Sequence, residues 1–147
     1  MRILFVDDEP DNVTLVANTL REALGAEIEV AETVAQAIRA LLSRPVDVVV
    51  CDVFVPPGED IQSLMGPRAR LPEGQQHLGG LLLLQELDRL PVPVGGSAPK
   101  VLVHTACNEY AMVEVLKAHG HPRVPKPAPV DVLLRAVIEA LDLPVPQ

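Results

Sequence analysis

Short apolar runs alternate along the chain with longer stretches in which apolar residues recur at helical spacing. The first run, Ile3-Leu4-Phe5-Val6, ends in Asp7, Asp8 and Glu9. Pro10-Asp11-Asn12 then opens a helical pattern with Val13, Val16, Ala17 and Leu20 on one face and Gly25 as its stop. Glu27-Ile28-Glu29-Val30-Ala31 alternates as a shorter, more exposed strand, and Thr33 caps a helix carrying Ala37, Ile38, Leu41 and Leu42 that ends at Arg44-Pro45. A third strand runs from Val46 through Cys51 into Asp52. Further helices are predicted over about 80–90, 108–119 and 129–141, with strands over 100–104 and 123–125 between them. Five successive strand–helix units predict an α/β fold with a parallel sheet, because each right-handed crossover lays a helix on a face.

Composition supports that class. The chain has 147 residues, a single-domain length. It is 48% hydrophobic but only 2% aromatic, so the core must be built from Val, Leu, Ile and Ala, as in buried parallel strands and their covering helices. The net charge of -8 and the absence of any basic run argue against direct nucleic-acid binding. The first apolar run is too short for a membrane span or a signal sequence, and no membrane association is expected. Cys51 and Cys107 have neither metal-ligand spacing nor the pattern of a disulfide framework, and nothing near Cys107 in sequence would activate it. They read as thiols in a reducing compartment, which points to the cytoplasm. Residues 56–78 interrupt the regular spacing with a Pro-, Gly- and charge-rich extended loop between third strand and third helix, far longer than the usual connection of about 2–6 residues. The tail, 143–147, reads as a frayed end or the start of a linker.

Two strands therefore end in carboxylates. If they are neighbours in a parallel sheet, their C-terminal ends bring the acids into one crevice, the place where open α/β sheets bind ligands. Clustered carboxylates repel one another and call for a hard cation. Two more strand-end residues complete the set: Thr105 after Val101-Leu102-Val103, and Lys126 after Arg123-Val124-Pro125. Taken singly, the acids and Thr105 would pass as helix caps and Lys126 as a turn residue. His104, His119 and His121 form no compact metal set. No glycine-rich phosphate loop is present, and Gly79-Gly80 and Gly95-Gly96 read as loop glycines.

In order, the segments Ile3 through Glu9, Val49-Val50-Cys51-Asp52-Val53-Phe54-Val55-Pro56, His104-Thr105-Ala106 and Pro125-Lys126-Pro127 resemble the receiver domain of two-component response regulators. The resemblance extends over nearly the whole chain and implies one receiver domain over 1–147. It also implies a flavodoxin-like, doubly wound five-stranded parallel sheet of strand order 2-1-3-4-5 with helices on both faces. By the same resemblance Asp52 is the phosphoacceptor, taking a phosphoryl group from a histidine kinase or phosphotransfer protein. Asp8 would bind Mg²⁺ directly and Asp7 through water, with Asp52 and the Phe54 backbone carbonyl completing the protein's ligands. Lys126 and Thr105 would contact the phosphoryl oxygens, and Lys126-Pro127 resembles the family's cis peptide. The implied role is regulatory rather than enzymatic, with an unidentified downstream protein target and a possible homodimer.

The chain departs from the pattern in three places: Val55 stands where Met is usual, Arg123 where an aromatic is common, and the 56–78 segment is extra. Phe54 and Cys107 occupy the positions that flank the attacking-water route in the family, and neither is a strong hydrogen-bonding group. A long-lived aspartyl phosphate is expected. Two alternatives stand beside this reading. One is a degenerate receiver acting as a phosphorylation-independent interaction module. The other is an aspartate-nucleophile phosphatase, disfavoured because such enzymes need a second acid where Phe54 stands.

Overall fold

A computed structural model describes residues 1–68, 78–87, 89–91, 96, 98–106, 110–118 and 120–142. Its centre is a parallel sheet of β1 (Arg2–Val6), β2 (Glu27–Ala31), β3 (Val48–Cys51), β4 (Lys100–Thr105) and β5 (Arg123–Pro125), ordered β2-β1-β3-β4-β5. The helices are α1 (Thr14–Leu24), entered through a 3₁₀ turn at Pro10–Val13, α2 (Val34–Ser43), α3 (Ile61–Met65), α4 (Gly79–Glu86), α5 (Tyr110–Ala118) and α6 (Val130–Ala140). The predicted architecture and strand order are both present.

Alternate residues of the central strands feed opposite faces, and both faces are apolar. Ile3, Phe5, Val48, Val50 and Leu102 pack with Val16 and Leu20 of α1 and Leu133 and Val137 of α6. Leu4, Val6, Val49 and Cys51 pack with Ile38 and Leu41 of α2 and Leu82 and Leu83 of α4. On that second side Val101 and Val103 meet Leu81 and Leu84 of α4 and Leu116 of α5. Each fully buried Leu or Val contributes about 1.5–3 kcal/mol, which is why strands this short hold their register. β2, at the edge, is the more exposed strand as expected, although at five residues it is as long as β1.

The helix ends follow local chemistry. Gly25 takes φ 63 and its N–H reaches the Arg21 carbonyl, closing α1. The Thr33 hydroxyl accepts from Gln36 N at 3.1 Å, while the Gln36 side chain accepts from Glu32 N at 2.8 Å, a reciprocal cap on α2. Leu42 departs from its expected place on the buried face of α2 and is 42% exposed.

The 56–78 segment is not wholly a loop. Pro56 O and Pro57 O accept from Val34 N and Ala35 N, satisfying free donors of the first turn of α2. Gly58, at φ 97, turns the chain into α3 and then a 3₁₀ turn, Gly66–Arg68. Ile61 and Met65 bury themselves against the α2 side of the core, and Asp60 pairs with Arg39 on α2. The helix predicted from about residue 80 begins at Gly79, and Gly79 and Gly80, read as loop glycines, are both buried in the first turn of α4. Residues 69–77, Cys107, His119 and the tail 143–147 lie outside the described residues. No described helix is long and apolar enough to cross a membrane.

Candidate functional site

The site lies at the C-terminal edge of the sheet. Val6 and Cys51 are partners across β1 and β3, so the next residues, Asp7 and Asp52, leave the sheet side by side. Asp52 N donates to Val6 O and Asp7 N to Ala31 O, both at 2.9 Å, which carries the ladder one residue into the site. Thr105 pairs with Pro125 across β4 and β5, and Lys126 N donates to Thr105 O at 3.0 Å. Every strand end singled out in the sequence, except the exposed edge strand β2, thus delivers a residue to one rim.

The Lys126 ammonium crosses that rim to β3 and β1. Nζ donates to Asp7 Oδ2 at 2.6 Å and to Asp52 Oδ2 at 2.9 Å. The other oxygen of each acid is taken by its own loop: Asp7 Oδ1 accepts from Glu9 N at 2.9 Å, and Asp52 Oδ1 from Phe54 N at 3.1 Å. Both acids are buried, as is Thr105, whereas Asp8 is exposed at the mouth. Lys126–Pro127 is a cis peptide.

Electrostatics follow from this packing. Burial opposes the Lys126 charge, but the hydrogen bonds and charges of Asp7 and Asp52 outweigh it and hold the ammonium above the usual lysine range. Partial desolvation, then repulsion from Asp7, Asp52 and Glu9, raises the Asp8 carboxyl above the usual carboxylate range. Burial and then the nearby acids push the Cys51 thiol far up, so it is an inert core thiol. His104 is buried beside the site with Nδ1 2.9 Å from Val124 O. Burial lowers its pKa; the Val124 bond, Asp52 and Asp7 oppose the shift, and Lys126 adds to it.

Carboxylate oxygens of Asp7, Asp8 and Asp52 all lie within 4.8 Å of one another. Three hard oxygen donors at that spacing suit Mg²⁺, which takes one or two carboxylates and fills its octahedron with waters and phosphate oxygens. Phe54 is half-buried next to this set, on the cluster formed by Val53, Val101 and Val103. A groove of about 360 Å³, lined by Asn12, His104, Ala106, Lys126, Pro127 and Ala128, opens beside Lys126. Sequence reasoning gave Asn12 only a place in the opening of the first helix and left His104 without a role. The residue before a strand-end Thr, on the opposite face of the strand, was the available signal for His104.

No family model matches the chain, and no curated protein matches it. Solved structures do. A CheY-like response regulator receiver domain protein from Methanospirillum hungatei superposes with a TM-score of 0.70 at 21% identity, covering 96% of this chain and 93% of that one. A two-component response regulator from Clostridium difficile gives 0.68 at 19% identity over 97% and 96% of the two chains. The Francisella response regulator 1452 receiver domain gives 0.67 at 20% identity over 96% of each. With its sheet order, its helices on both faces and these likenesses along nearly its full length, the chain has the fold of response-regulator receiver domains.

Proposed function

We propose that residues 1–147 act as the phosphoacceptor receiver of a two-component phosphorelay, regulatory rather than enzymatic and working in the cytoplasm. The observation that carries this reading is the Lys126 ammonium held between the buried carboxylates of Asp7 and Asp52. A helix cap needs no such cation, and a structural ion pair needs no second buried acid or exposed Asp8 beside it.

In this role an Asp52 carboxylate oxygen attacks phosphorus. The new O–P bond replaces the N–P bond to the histidine of a kinase or phosphotransfer protein. Asp7, Asp8, Asp52 and the Phe54 carbonyl hold Mg²⁺, which when bound neutralises the acids and the charge developing on the phosphoryl oxygens. Lys126 leaves its bridge to Asp7 and pairs with a phosphoryl oxygen as a point charge, and the Thr105 hydroxyl donates to another. Drawing Lys126 and Thr105 toward the new group shifts the ends of β4 and β5, and that shift is the output offered to a downstream protein. Arg123 on β5 is exposed and charged, so the message cannot travel by the rotation of an aromatic ring there.

The test is incubation of the chain with Mg²⁺ and acetyl phosphate, followed by intact mass. A gain of one phosphoryl group that needs Mg²⁺ and is absent in Asp52→Asn supports the reading. No gain, together with no Mg²⁺ binding by titration, refutes it in favour of a phosphorylation-independent interaction module.

A further inference from the structure

The loop that carries Asp52 is pressed against the first turn of α4. Gly80 N donates to Val53 O at 3.1 Å. A Cβ built on Gly80 would stand 2.2 Å from the Asp52 carbonyl oxygen and 2.6 Å from Val53 Cα. One built on Gly79 would stand 2.1 Å from Val55 O and 2.9 Å from Val34 Cγ2. Carbon and carbonyl oxygen come into contact at about 3.3–3.6 Å, so a side chain at position 80 requires the Asp52 backbone to retreat by about 1 Å. Neither glycine has a positive φ, and alanine is the better helix former, so backbone conformation does not explain either one. What position 80 supplies is close approach.

The other side of Asp52 is fixed as well. Its N–H is bonded to Val6 O on β1, and its Oδ1 to Phe54 N. The Asp52 peptide is therefore clamped between β1 and α4, while Asp7 and Lys126 are positioned independently by β1 and β5. Moving the α4 side of the clamp moves one carboxylate relative to its two partners.

We propose that Gly80 is a positioning residue for Asp52, setting how far the carboxylate stands from Asp7 and Lys126 by letting the first turn of α4 rest on the Asp52–Val53 backbone. The inference rests on the phosphoacceptor reading above. Its test compares acetyl phosphate labelling rates at saturating Mg²⁺ for the wild-type chain, Gly80→Ala, Gly79→Ala and Val137→Ala, each below its own unfolding transition. Val137 is fully buried on the α6 side and controls for lost stability without touching the loop. A misplacement of about 1 Å lowers the Gly80→Ala rate by about 100-fold. Gly79→Ala, which meets the loop three residues further on, falls by much less, and Val137→Ala keeps the wild-type rate.

If Gly80→Ala does not fold in buffer, the rates are read in trimethylamine N-oxide, which favours compact states. A variant still unfolded there assigns the glycine to folding and overturns the proposal, as does an equal loss in all three variants. A labelled wild type with an equally labelled Gly80→Ala overturns the proposal alone. A wild-type chain that takes no label overturns the phosphoacceptor reading and the proposal together.

Discussion

Replacing Lys126 with methionine deletes the ammonium and keeps most of the stem, leaving Asp7 and Asp52 as uncompensated neighbours. An exposed ion pair is worth about 0–1 kcal/mol, whereas removing one partner of a buried pair costs about 3–5 kcal/mol. The Lys126 side chain is 16% exposed and the two acids 5% and 7%, which puts this bridge at the lower edge of the buried range. Without divalent cation Lys126→Met should therefore lose about 3 kcal/mol, a Tm drop of about 6–12 °C for a chain of this size. Saturating Mg²⁺ supplies the missing positive charge, and the loss should shrink to about 1 kcal/mol. Thermodynamic linkage converts the difference of about 2 kcal/mol into Mg²⁺ binding about 30-fold tighter in the variant, because the ammonium no longer competes for the same oxygens. Urea unfolding with and without Mg²⁺, joined to a direct Mg²⁺ titration, measures both sides of the cycle. An equal stability loss in the two conditions with unchanged Mg²⁺ affinity would refute the idea that Lys126 and the cation share one role.

Three further outcomes are expected. His104 is held neutral by burial, its folded pKa below the ordinary value of roughly 6.5, so its contribution to stability is fully present above that pH and is lost as pH falls through the folded pKa. Urea unfolding from pH 7.5 down to about 5 should show a pH slope of at most about 1.4 kcal/mol per unit that His104→Asn abolishes, and identical slopes would count against it. Arg2 is buried at the start of β1, where its guanidinium donates to Ala40 O, Arg44 O and the Glu29 carboxylate. A lysine ammonium cannot span that fork, so Arg2→Lys should cost about 1–3 kcal/mol by denaturation; a change within about 0.5 kcal/mol would be the contrary result. With Phe54 beside Asp52, the aspartyl phosphate should be long-lived, and Phe54→Asn should shorten its lifetime about tenfold or more in a label chase; rapid loss in both proteins would end that explanation.

The parts of the fold that the residues announce are those governed by near neighbours. Gly25 and Thr33 stop and start helices through bonds reaching three or four residues, and they do so here as expected. Val48 through Cys51 and Val101 through Val103 are apolar on both faces, as the strands of a parallel sheet covered on both sides are. Helix α3 could not be anticipated in this way. Five residues among prolines and glycines make too few hydrogen bonds to hold a helix, and Ile61–Met65 is helical because Ile61 and Met65 find the α2 side of the core. Leu42 shows the same limit in reverse, since periodicity alone could not tell which edge of the apolar stripe faces solvent.

For the site, the sequence alone placed Asp7, Asp8, Asp52, Thr105 and Lys126 at strand ends, because strand ends are written in local apolar runs. Only the tertiary structure decided that Lys126 bridges Asp7 and Asp52, that Asp8 stays exposed, and that Gly79 and Gly80 open a helix against the Asp52 loop. The reason is distance along the chain. Lys126 and Asp7 are 119 residues apart, and Gly80 meets Asp52 through a gap that holds no side chain. Composition and period encode which face a residue seeks, whereas a contact of a few ångströms between remote segments exists only once the sheet order and the packing of both layers have been set.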